Sequence, residues 1–172
     1  SMGGRSGLAT SEWIGNAKAQ PVLNEYLERF KLTTLPAPEF VRTPGYLIDG
    51  EYFSATDLAT KQPATAEALK RYEKTLDDLA RSIDDPLNPQ ATSTLFALDQ
   101  INVASWLDKL QLPATARQLI NQQIRTRYDE PSRLSLLYFA QQNRVYRNVS
   151  DRDLRAARLP GGSPVLAQAF VK

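Results

Sequence analysis

From Pro63 to Ile83 the apolar residues Leu69, Tyr72, Leu76, Leu79 and Ile83 recur at steps of three and four, the spacing that gathers side chains on one face of an α-helix. An isolated helix of this length is marginal in water and owes most of its stability to burying such a stripe. The rest of the chain must therefore supply elements that cover it. Glu67–Arg71 and Asp77–Arg81 are expected to pair across one turn. Asp84-Asp85-Pro86-Leu87-Asn88-Pro89 ends the helix, because proline cannot continue it and restricts the residue before it, and a loop is expected to follow. Asn102 is a suitable N-cap for a helix burying Val103, Trp106, Leu107 and Leu110. Pro113 opens the next, with Ala116, Leu119, Ile120 and Ile124 inward, and the two make a helical hairpin. Pro131 is expected to begin a third, with Leu134, Leu137, Tyr138 and Val145 on one face interrupted by Gln141, Gln142 and Asn143.

Ahead of these, Pro21 stands near the first position of a short helix carrying Val22, Leu23, Tyr26, Leu27 and Phe30. Leu35-Pro36-Ala37-Pro38 blocks helix, and Asp49-Gly50 between Tyr46-Leu47-Ile48 and Glu51-Tyr52-Phe53 predicts a two-residue β-hairpin. At the other end Gly161 and Gly162, followed by Ser163 and Pro164, describe a tight turn opening into a helix with Val165, Leu166, Ala169 and Phe170 on one side. About two turns of such a helix need a partner surface, so the chain reads as a piece of a larger protein. No repeat of thirty to fifty residues is present.

The 172 residues, 42% of them hydrophobic, suffice for one domain with a real core. Having neither Cys nor His, the chain can form no disulfide framework, thiolate nucleophile, Ser-His pair or usual zinc site. Asp77-Asp78, Asp84-Asp85 and Asp129-Glu130 are the remaining candidates for carboxylate chemistry; solvated helix ends are their ordinary role, and no calcium-loop spacing appears. Asn148-Val149-Ser150 fits the glycosylation pattern, but nothing indicates secretion. No catalytic or metal-binding residue is singled out. A net charge of +2 is too small to argue for nucleic acid. It hides an asymmetry, since residues 1–110 carry 11 Lys/Arg against 15 Asp/Glu and residues 111–172 carry 10 against 4. A solvated basic surface is one reading, and a basic face for an anionic ligand or acidic partner domain is the other. Trp106, Tyr128, Tyr138, Phe139 and Tyr146 suit either a core or a ligand pocket, with Tyr146 beyond the regular stripe. No membrane span or secretory signal is seen, which favours the cytoplasm.

Four pieces in order resemble the flavin-containing amine oxidases, the family of monoamine, polyamine and L-amino-acid oxidases. They are Gly3-Gly4-Arg5; Glu12-Trp13-Ile14-Gly15 with the Val22 to Leu32 helix; Trp106-Leu107-Asp108-Lys109-Leu110 with Ala116 to Ile124; and Ser135-Leu136-Leu137-Tyr138 through Arg158-Leu159-Pro160-Gly161-Gly162. The resemblance implies a mainly α chain, a helical substrate domain with one small β-hairpin excised from an α/β flavoprotein. Residues 1–11 would be a tag, a linker or the remnant of a flavin motif, and residues 12–172 the substrate-binding domain. It further implies oxidation of an amine or amino acid with hydride transfer to FAD in the full-length protein.

By the same resemblance Val145, Tyr146, Leu159 and Val165 would line the substrate cavity, and Gly4, Arg5, Gly161 and Gly162 would lie against the cofactor. Gly161-Gly162 as a plain loop before a helix is the competing reading. The sequence contains no GxGxxG to hold the FAD pyrophosphate, so the chain alone is expected to be inactive and to bind no FAD. Its expected partners are a small amine, the missing FAD-binding domain and a second copy of the chain. A self-contained helical module that docks on another protein is the alternative.

Overall fold

A computed structural model describes residues 13–38, 45–89 and 93–171; Gly4 and Arg5 lie outside them. In chain order the elements are α1 (Pro21–Arg29), β1 (Leu35–Pro36), β2 (Gly45–Ile48), β3 (Glu51–Ser54), α2 (Ala55–Lys61), α3 (Pro63–Arg81), α4 (Ser93–Asp99), α5 (Val103–Lys109), α6 (Ala114–Arg127), α7 (Leu136–Tyr146), α8 (Asp151–Leu154), β4 (Ala157–Arg158) and α9 (Ser163–Val171). The chain is mainly α, with two small antiparallel sheets. Its described residues divide into two compact units: a helical unit running to Arg147 from β2, and a terminal unit made from the segment before β2 and the residues from Asn148 onward.

The helical unit is organised on α3. Its inward residues Ala68, Leu69, Tyr72, Leu76 and Ala80 are all buried, as the three-and-four spacing requires. Against them pack α6 and α7, bringing Ala116, Ile120, Ile124, Leu136 and Phe139 into one cluster with Val103, Trp106 and Leu107 of α5. Asn102 caps α5 as expected, its Oδ1 accepting from the Ser105 N–H at 2.8 Å. The β2–β3 hairpin forms around Asp49 and Gly50, both at positive φ, the backbone that a two-residue turn needs to match strand twist. Ser54 then starts α2 without a connecting loop: its hydroxyl accepts from the Asp57 N–H and the Asp57 carboxylate accepts from the Ser54 N–H, a reciprocal cap. On the surface of α3, Arg81 pairs with Asp77 at 2.8 Å, whereas Arg71 donates to the Leu110 carbonyl at 3.0 Å, so no Glu67–Arg71 bridge ties that turn.

Two sequence expectations are corrected here. The third helix does not begin at Pro131, because the backbone of residues 131–136 is bonded across to the start of α5 and the residues just before it: Val103 N–H donates to Leu134 O at 2.9 Å and Leu136 N–H to Ile101 O at 2.8 Å. Ser135 is the actual cap of α7. The later start turns the helix so that Leu136, Leu137, Phe139 and Ala140 are buried, while Tyr138 and Val145 are exposed. The polar interruption has work there, since Gln141 donates to Pro86 O at 2.6 Å and Arg144 to Ile83 O at 3.1 Å, tying α7 to the segment after α3. The loop expected after Pro89 also contains α4, whose Leu95 joins Ile83, Leu137 and Ala140 in a second small core.

In the terminal unit, β1 pairs with β4 in a two-residue ladder, Leu35 opposite Arg158 and Pro36 opposite Ala157. Ile14 and Ala157 exchange both backbone bonds at 2.8 and 2.9 Å. Asp153 fastens the crossing: its carboxylate accepts from the Ser150 N–H (2.9 Å), Asn16 Nδ2 (2.8 Å), Ser150 Oγ (2.8 Å) and Lys18 Nζ (3.3 Å). The rings of Tyr26, Phe30 and Phe170 meet with Phe170 4.8 Å from each of the others. None of the residues of α9 is buried. Among the described residues no helix is long and apolar enough to cross a membrane.

Replacing the fully buried Ile120 with alanine is expected to destabilise the helical unit by about 2–5 kcal/mol, the usual cost of deleting such a side chain and leaving a cavity, read as a lower urea midpoint. In the terminal unit, hydrogen bonds from Ser150 and then Asn16 hold the Asp153 carboxyl well below the usual carboxylate range. A depressed folded value adds stability that is complete above about pH 4 and is lost as the pH falls through the folded value. Asp153→Asn is expected to lower the melting temperature of this unit at pH 7 and to flatten its decline below pH 4, followed by the NMR signals of Trp13 and Gly15.

Candidate functional site

A cleft of about 240 Å³ opens in the helical unit between α3, α6 and α7. Its apolar surface comes from the core stripes themselves: Tyr72, Leu76 and Ala80 of α3, Ile124 of α6, and Phe139 of α7. Tyr128, just past α6, stands edge-on to Phe139 with ring centroids 5.4 Å apart. The polar residues flank those stripes, Glu73 and Asp77 beside Tyr72 and Leu76, Gln123 and Arg127 beside Ile124, and Asn143 and Arg147 one and two turns beyond Phe139. An apolar floor with a few convergent polar groups is the usual make-up of a small-molecule site.

These charges differ in what they are free to do. Asp77 is held by Arg81 at 2.8 Å and by Arg147 at 3.0 Å. Glu73 and Arg127 are in no ion pair among the described residues, yet both act on the Tyr72 hydroxyl. Burial pushes that phenol well above its ordinary value, Tyr128 and Glu73 push it further, and Arg127 opposes them. Tyr128 is raised for the same first reason, with Arg127 again in opposition. Both hydroxyls are therefore neutral donors at physiological pH.

Of the residues expected from sequence, Val145 and Tyr146 sit at the C-terminal end of α7, each 44% exposed, and line neither this cleft nor the one between Gly15 and Thr34 in the terminal unit. Leu159, Gly161, Gly162 and Val165 are brought together in the terminal unit by a single turn. Gly162 N–H donates to Leu159 O at 2.9 Å, and Val165 N–H to Gly162 O at 3.2 Å. Both glycines have left-handed backbone, φ +84° and +77°, and a Cβ on Gly161 would lie 2.6 Å from Val165 Cγ2. Sequence reading placed Tyr72 in the core stripe alone and missed Glu73, Gln123 and Arg127. Their signal is faint: polar residues at the edges of two apolar stripes that face each other only after folding. The carboxylate pairs form no centre, and no group of three or more potential ligands able to hold a metal occurs among the described residues.

No sequence-family model matches the chain, and no curated protein does. Solved structures do match. The chain superposes on cyclohexylamine oxidase from Brevibacterium oxydans IH-35A with a TM-score of 0.71 and 24% identity, covering 94% of this chain and 36% of that one. A putrescine oxidase with putrescine bound matches with a TM-score of 0.70 and 20% identity, over 92% of this chain and 36% of its own. This chain thus has the fold of about a third of each of these amine oxidases.

The left-handed turn yields a direct test. Gly161→Ala puts a side chain where the backbone disfavours one by about 1–2 kcal/mol and where Val165 already stands. The melting temperature of the terminal unit is expected to fall, with the α3 signals unchanged.

Proposed function

We propose that this chain is the substrate-binding part of an FAD-dependent amine oxidase-like oxidoreductase, forming the wall and entrance of a pocket for an amine or amino acid. The observation that carries the reading is the fold shared with two oxidases of named amines over more than nine-tenths of the chain. The order of the four sequence pieces that resemble the flavin-containing amine oxidases agrees with it. In this reading Val145, Tyr146, Leu159 and Val165 belong to the substrate side, and Gly161 and Gly162 of the same turn approach the flavin.

The residues present do not make an FAD site. The sequence lacks the glycine-rich dinucleotide turn, and Gly161 is accounted for by its own backbone angle and by Val165. FAD would be held by protein outside this chain, where it supplies the hydride acceptor. The work left to these residues is to shape the cavity and exclude water from it.

The test is to express the longer reading frame that encodes this chain. The product is expected to be yellow, with flavin absorbance that bleaches when a primary amine or amino acid is added without oxygen. A colourless product that neither binds FAD nor consumes amines would overturn the oxidase reading in favour of a helical interaction module.

A further inference from the structure

We draw no further inference here: the strongest candidate, the cleft between α3, α6 and α7, is floored by side chains of the helical core and rimmed by the exposed Glu73 and Arg127, so that it names no ligand beyond the amine or amino acid of the proposed function.

Discussion

The packing of α3 against α6 and α7 is the interaction on which the helical unit depends. Ala68, Leu69, Tyr72, Leu76 and Ala80 meet Ile120, Ile124 and Phe139 in a continuous buried cluster, and α5 adds Val103 and Leu107 at full burial. Burial of this kind gains roughly 25 cal/mol for each Å² of apolar surface removed from water. The same packing makes the cleft. Where the stripes diverge, Tyr72, Leu76 and Ile124 are at once the edge of the core and the floor of the site. Polar residues one position away, Glu73 and Gln123, are thereby held at its rim.

The division into two units gives the chain two kinds of stability. The helical unit buries large side chains and ties its helix ends with Ser54, Asn102 and Ser135. The terminal unit relies more on backbone ladders and on the bonds converging on Asp153, with Ile14 and Leu27 the buried apolar side chains among its described residues. Its last helix carries Phe170 at 55% and Val171 at 88% exposure. An apolar helix with no buried residue fits the reading that further protein covers it.

Much of this was legible in the residues. The stripe of α3, the Asp49-Gly50 hairpin, the Asn102 cap and the helix after Pro113 all follow from periodicity or turn chemistry that acts within a few positions. What escaped was settled by distant partners. The start of α7 is displaced from Pro131 by backbone bonds to Ile101 and Val103, and β1 and β4 are too short to show an alternation. Part of the charge asymmetry between the two halves is internal, since Arg147 reaches Asp77, Arg117 reaches Asp108 and Arg144 reaches the Ile83 carbonyl. Glu73 and Arg127 could not be found as a pair because 54 positions separate them in the chain. The order of the resembling sequence pieces pointed to amine oxidases, and the fold shared with cyclohexylamine and putrescine oxidases agrees.

In the proposed function α9 carries a surface that other protein covers, while the α3–α6–α7 core stands by itself. Amide hydrogen exchange on the 172-residue chain and on the longer protein tests this directly, since protection follows local burial and bonding. The expected result is slow exchange in α3, α6 and α7 in both, with α9 exchanging fast in the chain and becoming strongly protected in the longer protein. Equal protection of α9 in the two would contradict it.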